Sequence, residues 1–141
     1  MPHLPPATQP PGGPHGLRCF LVEDSPVIRH NLIATLEEML PVRVVGFAED
    51  EASAEQWMVV SGSGCDLLII DIFLKAGTGL QVLLRAGALC PAARRVVLTN
   101  YATTAMRRRC LQLGADRVFD NSSELDELLG YCAGLALPAS N

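Results

Sequence analysis

Asp66-Leu-Leu-Ile-Ile-Asp-Ile-Phe-Leu-Lys-Ala-Gly-Thr-Gly79 runs four consecutive apolar residues, Leu67 to Ile70, into one carboxylate, Asp71, and then loosens into a loop holding Gly77 and Gly79. An unbroken apolar run of strand length predicts a strand covered on both faces, the habit of parallel sheets in α/β domains. Asp71 then stands at the carboxyl end of a central strand, the edge of an open α/β sheet where ligands bind. Function therefore turns on which other polar groups reach that edge.

Outward from this stretch, strand-like and helix-like segments alternate. Arg18 to Glu23 is an apolar run ending in acids, and Ser25-Pro26 starts a helix with proline where its missing N–H is harmless. Ile28, Leu32, Leu36 and Met39 fall on one face of that helix, and Pro41 stops it. Val42 to Ala48 is a second strand. Asp50 caps a helix through Trp57 and Val60, ended by the Ser-Gly-Ser-Gly run at 61–64. Cys65 to Asp71 is the third strand, and a helix from Gly79 to Leu89 ends at Cys90-Pro91. Arg95 to Thr99 is a fourth strand. The next helix turns Met106, Cys110 and Leu113 inward, leaves Arg107, Arg108 and Arg109 on a solvated outer face, and closes at Gly114. Asp116 to Asp120 is a short fifth strand, and the last helix presents Leu125, Leu128, Leu129 and Cys132 at helical spacing. Five βα units in sequence predict an α/β fold, a doubly wound parallel sheet with helices on both faces.

The 141 residues fit one domain, spanning 17–134, with no second domain after it. Residues 1–16, with six prolines and three glycines, are expected to form a disordered tail, and 135–141 a short C-terminal one. A composition 49% apolar and 18% charged favours a packed core, and no apolar run approaches the length of a membrane span. A net charge of -4 argues against nucleic acid as the main partner. Five scattered cysteines in apolar segments read as buried thiols in a reducing cytoplasm. His3, His15 and His30 have no ligand-spaced partner, and the N-terminus lacks the pattern of a secretion signal.

The first strand delivers Glu23 and Asp24 at its carboxyl end, the third Asp71, the fourth Thr99 and the fifth Asn121. Any one of these acids alone would serve as a cap for the following helix. At neighbouring strand ends they form one crevice, and like charges so close need a positive partner. Magnesium suits the place better than calcium, because it takes one or two carboxylates and shares its other positions with water and phosphate oxygens. Zinc would want cysteine or histidine. A hard cation beside a carboxylate and a hydroxyl suggests phosphoryl chemistry, with one carboxylate able to become an aspartyl phosphate.

With these residues in view, the sequence resembles the receiver domain of two-component response regulators. The matching features are Glu23-Asp24-Ser25 after an apolar strand, Leu-Leu-Ile-Ile-Asp71 with its Gly-Thr-Gly exit, Val97-Leu98-Thr99, and Leu113-Gly114-Ala115-Asp116 before the fifth strand. The resemblance implies a flavodoxin-like (βα)5 fold with strand order 2-1-3-4-5. It implies that Asp71 is the phosphoacceptor, charged by a histidine kinase or a histidine phosphotransfer protein in a phosphorelay. Asp24, Asp71 and the backbone carbonyl of Phe73 would hold Mg²⁺, with Glu23 acting through water, and Thr99 would bond a phosphoryl oxygen. Output would pass to a downstream target protein through the fourth helix, fifth strand and fifth helix. Such a stand-alone receiver is not an enzyme beyond its own phosphoryl transfer and autodephosphorylation.

Two positions depart from the family. Where it ends the fifth strand with lysine and then proline, this chain has Asn121 and Ser122. An amide donates a hydrogen bond without the charge, which at about 4 Å is worth about 1–4 kcal/mol between water-like and surface-like dielectrics. Asn121, three residues before Glu124, also reads as the N-cap of the last helix with a capping-box partner. Without proline the 121–122 peptide is expected to be trans, since cis costs about 2.5–4 kcal/mol. The second departure is Val118, in place of the switch aromatic; Phe119 beside it faces the other side of the strand. Asn100 is bulkier than the usual residue after the threonine, and Tyr101 either covers the site or stays exposed. The alternative is therefore a phosphorylation-independent interaction module, a pseudo-receiver. A separate phosphatase or nucleotide enzyme lacks its motifs: no Gly-rich loop ends in Lys-Ser/Thr, and Phe73 stands where a second acid would.

Overall fold

The computed structural model describes residues 16–136, so the expectations for 1–15 and 137–141 lie outside the described residues. In chain order the elements are β1 (Leu17–Val22), α1 (Pro26–Met39), β2 (Val42–Ala48), α2 (Glu51–Ser61), β3 (Leu67–Ile70), α3 (Gly79–Leu89), β4 (Arg94–Thr99), α4 (Thr104–Gln112), β5 (Arg117–Asp120) and α5 (Leu125–Ala136). The strands form one sheet in the order β2-β1-β3-β4-β5, with every pairing parallel.

Period-2 alternation divides each strand between two cores. Cys19, Leu21, Leu67, Ile69 and Phe119 face α1 and α5, where they meet Leu32, Leu36, Leu128 and Cys132. Phe20, Val22, Leu68, Ile70 and Val97 face α2, α3 and α4, where they meet Met58, Val82, Leu83, Ala86 and Cys110. All of β3 is buried, and each such apolar side chain contributes roughly 1.5–3 kcal/mol. The opening run is therefore both the centre of the sheet and its most heavily covered strand.

Helix starts follow local chemistry. Ser25 accepts from the Ile28 amide at 3.3 Å ahead of Pro26, Asp50 from Ser53 at 2.8 Å, Thr78 from Leu80 at 3.2 Å and Thr103 from Met106 at 3.1 Å. The apolar stripe on α1 runs differently from the expected one: Met39 is 66% exposed, and Leu40 packs on the core in its place. The helix ends at Met39, and Leu40 is its C-cap with extended backbone (φ -136°, ψ 155°), so helical spacing no longer sets where the Leu40 side chain points. All five cysteines are free and buried. No peptide bond among the described residues is cis, the 121–122 bond included, and no helix there is long and apolar enough to cross a membrane.

The sheet order sets the ends of β1, β3, β4 and β5 side by side. Beyond the strands the register continues, with Glu23 N donating to Ala48 O at 3.0 Å, Asp71 N to Val22 O at 2.9 Å and Asn121 N to Thr99 O at 2.9 Å.

Candidate functional site

Glu23, Asp24 and Asp71 each turn one carboxylate oxygen into the same space, all within 4.8 Å of one another. Glu23 is buried, and its Oε2 accepts from the Ser25 amide at 3.0 Å. Asp71 is half-buried, and its Oδ1 accepts from the Phe73 amide at 3.4 Å. Burial pushes the Glu23 carboxyl up to about 7, against the Ser25 N–H, and the charges of Asp71 and Asp24 add to the rise. Burial likewise pushes Asp71 up to about 6, opposed by the Phe73 and Ile72 amides and reinforced by Asp24.

Among the described residues, no lysine or arginine forms an ion pair with Glu23, Asp24 or Asp71. The cations on this side of the molecule are committed elsewhere. Arg29 donates to Glu23 O at 2.9 Å, pairs with Glu49 at 3.1 Å and lies 4.2 Å over the Phe47 ring. Lys75 pairs with the same Glu49 at 3.0 Å. An all-oxygen cluster of carboxylates that repel each other fits a hard divalent cation of the magnesium or calcium kind.

The loop after Asp71 is folded back by glycines. Gly79 N donates to Ile72 O at 2.8 Å, and Gly77 has φ +78° with a Cβ position only 2.4 Å from the Glu51 side chain. Glu51 holds the loop from outside, accepting from Thr78 N at 3.0 Å and donating its own N–H to Ala76 O at 3.1 Å. Glu51, Glu49 and Arg29 escaped the sequence reading, because supports from α1, β2 and α2 carry no local motif.

Thr99 is 1% exposed, and its Oγ1 accepts from the Tyr101 amide at 3.2 Å. The Tyr101 ring packs edge-on against Phe73 at 4.7 Å, joining the two loops that flank Asp71 and Thr99, while both side chains remain exposed. Val118 and Phe119 lie on opposite faces of β5: Phe119 sits in the α1/α5 core near Tyr131, and Val118 packs toward α4.

Two local readings are corrected. Asn121 is not the N-cap of α5. Asp120 takes that turn, its Oδ1 accepting from Ser122 N at 2.8 Å and Ser123 N at 3.1 Å, while Glu124 reaches back to Asp120 N at 2.8 Å. Asn121 instead lines a hollow with Ile28, Asn31, Leu32, Thr35 and Leu125. Nor does Arg107 stand on an open face: half-buried, it donates to Ala102 O at 2.9 Å, Val118 O at 3.1 Å and Glu124 at 2.6 Å. Arg108 and Arg109 are exposed as expected.

The family described as response regulator receiver domain matches residues 19–132. No curated protein matches the chain. Among solved structures, the receiver domain of the putative response regulator NarL from Mycobacterium tuberculosis is 23% identical, with a TM-score of 0.76 over 87% of this chain and 98% of that one. A Burkholderia pseudomallei response regulator with a phosphorylated aspartic acid and a calcium ion is 23% identical, with a TM-score of 0.71 over 85% of this chain and 68% of that one. A chain of the CheX-CheY-BeF3-Mg complex from Borrelia burgdorferi is 17% identical, with a TM-score of 0.72 over 82% of this chain and 89% of that one.

Proposed function

Because the chain belongs to the response regulator receiver family, we propose that Asp71 accepts a phosphoryl group from a histidine kinase or histidine phosphotransfer protein. The phosphorylated domain then signals by binding a downstream protein. The observation that carries this reading is the meeting of Asp71 with Glu23 and Asp24 at one strand edge, with no ion pair to any of the three among the described residues.

An Asp71 oxygen forms the new bond to phosphorus as the P–N bond to the donor imidazole breaks; the imidazole leaves with the bonding pair and takes up a proton. Mg²⁺ held by Asp24, Asp71 and the Phe73 carbonyl, with Glu23 acting through water, would neutralise charge that builds on the phosphoryl oxygens. The Thr99 hydroxyl, released from the Tyr101 amide, donates to one phosphoryl oxygen. Asn121 supplies an amide donor where a cation is usual, so phosphoryl binding is weaker and switching partial. Loss of the group by attack of water is the only turnover, so the domain is a signalling device rather than an enzyme acting on a separate substrate. In this reading the receiver unit is residues 17–134. A net charge of -4 does not favour nucleic acid, and five buried thiols suit the cytoplasm.

The second reading, a phosphorylation-independent interaction module, draws support from Asn121 and Val118. Incubation with Mg²⁺ and a small acyl phosphate, followed by intact mass, separates the two. A gain of one phosphoryl group that Asp71→Asn abolishes is expected; no gain, or an equal gain in the variant, favours the second.

A further inference from the structure

We infer that Arg107 is a positioning residue that ties the Thr99 loop to β5 and α5 and holds the domain in its unphosphorylated arrangement. This inference rests on the phosphoacceptor reading of Asp71.

Three segments meet at one guanidinium. Nε donates to Ala102 O at 2.9 Å in the loop after β4, Nη1 to Val118 O at 3.1 Å on β5, and Nη2 to Glu124 Oε1 at 2.6 Å ahead of α5. Glu124 Oε1 also accepts from Asp120 N at 2.8 Å, so the carboxylate binds the end of β5 to the same cation. Arg107, with the Asp120 amide, holds the Glu124 carboxyl below the usual carboxylate range, which keeps the pair ionised at neutral pH. A planar fork of fixed donors serves this three-way junction where lysine would not.

The junction is connected to the acidic cleft through short steps. Thr99 Oγ1 holds Tyr101 N at 3.2 Å, and Tyr101 O accepts from Thr103 N at 2.9 Å, so the chain between them, which carries the Ala102 carbonyl, is fixed at both sides. Turning the Thr99 hydroxyl toward a phosphoryl oxygen removes the first of these bonds and shifts Ala102. Its carbonyl then leaves Arg107, or drags the guanidinium away from Val118 and Glu124. Val118 is small enough to leave room for this: a hollow of about 360 Å³ beside it is walled by Arg107, Val118, Phe119 and Glu124. An element that holds one arrangement and is strained by the other biases the equilibrium between them, and by linkage its removal favours the ligand that selects the other.

The test uses the whole chain with beryllofluoride and Mg²⁺ as the probe, read by hydrogen–deuterium exchange and by titration. In the wild type, beryllofluoride should change exchange at 100–107 and at 118–124. Arg107→Gln should tighten beryllofluoride binding about five-fold and lose the added change at 118–124. Glu124→Gln, of equal size, should do the same to a smaller degree and serves if Arg107→Gln folds poorly. Unfolding by itself would weaken binding, so a tighter affinity is not a stability effect. Wild-type affinity and an undiminished response at 118–124 in both variants would overturn the inference while leaving Asp71 as the acceptor. Failure of the wild type to bind the probe would overturn the reading of Asp71, and this inference with it.

Discussion

Gly79 lies directly against Asp71: a Cβ built on the glycine would fall 2.0 Å from the Asp71 carbonyl oxygen and 2.7 Å from the Ile72 Cα. Both obstacles are backbone, so no side-chain rotation relieves them. Gly79→Ala must push the loop off the end of β3 and take Phe73 and the Asp71 carboxylate with it. The expected result is a loss of stability of about 1–3 kcal/mol in urea denaturation, together with at least ten-fold slower phosphorylation by a small acyl phosphate. Full-rate phosphorylation in a folded Gly79→Ala protein would show that the close approach has no bearing on the site.

The acidic cleft makes stability depend on pH in a direction opposite to that of most carboxylates. Glu23 and Asp71 lose their protons at about 7 and about 6 in the folded chain, against about 4.3 and 3.9 when unfolded. The folded state therefore binds more protons between about pH 4 and 7, and stability falls as pH rises through that window. Glu49, Asp50, Asp120 and Glu124, all held below the ordinary range, act in the other sense, but only where pH falls below about 4.5. Melting followed by the fluorescence of Trp57, without divalent cations, should give a higher Tm at about pH 5.5 than at about pH 8, and Glu23→Gln should flatten the difference.

Adding the metal should reverse that slope. A cation that binds only the folded state stabilises it by RT ln(1 + [L]/Kd), about 2.7 kcal/mol at a hundred-fold excess over Kd. Millimolar Mg²⁺ should raise Tm more at about pH 8 than at about pH 5.5, where protons compete for Glu23 and Asp71. Asp24→Asn should abolish the Mg²⁺ effect. An equal shift at both pH values, or one that survives in Asp24→Asn, would place the ion elsewhere.

Asn121 offers the cleanest test of the missing charge. Its backbone is tied to Thr99 O at 2.9 Å, so a longer side chain starts from a fixed point beside the end of β4. Asn121→Lys should tighten beryllofluoride binding by about ten-fold, the equivalent of about 1.4 kcal/mol and at the low end of what a unit charge supplies there. Unchanged binding and an unchanged lifetime of the phosphorylated form would mean that the charge is not what limits this site.

At the opposite edge of the sheet, Asp66 is 8% exposed and accepts from Arg18 N at 2.9 Å, Nε at 3.0 Å and Nη2 at 3.1 Å. Asp66→Ala should cost about 2–3 kcal/mol in urea denaturation while leaving Asp71 phosphorylation at its wild-type rate in the folded protein. A change in that rate would show that the two ends of β3 are coupled.

Much of the fold was legible in order because its signals are local. Apolar runs, the caps Ser25 and Asp50, the stops at Pro41 and Gly114, and the acids after each strand can all be read within a few residues. The meeting of Glu23, Asp24 and Asp71 followed from adding one rule, that parallel strands deliver their carboxyl ends to one edge, which also sets Thr99 at the end of the neighbouring strand. Boundaries shifted by a residue, as at β1 and β5, because the last hydrogen bonds of a strand depend on its neighbours.

The failures share a cause. Met39 sat at an allowed helical spacing and lost the core to Leu40. Asn121 and Glu124 had the spacing of a capping box, but Asp120, one residue earlier, took the turn, and Glu124 accepts from Asp120 N and from Arg107. Arg107 itself looked like one of three solvated arginines, and nothing in its own segment marks the carbonyls of Ala102 and Val118 that it binds.

The sequence alone determined the doubly wound order of elements and the sheet edge at which Asp71 stands, since periodicity, caps and right-handed crossovers leave few ways to assemble five βα units. Only the tertiary structure decided which cations are free. Arg29 and Lys75 are bound to Glu49 and Arg107 to Glu124, so among the described residues the acids around Asp71 face one another with no ion-pair partner. The reason is reach: a guanidinium or ammonium on a long side chain selects its carboxylate by distance in space, and that distance is set by how α1, α4 and the loops pack, not by position along the chain.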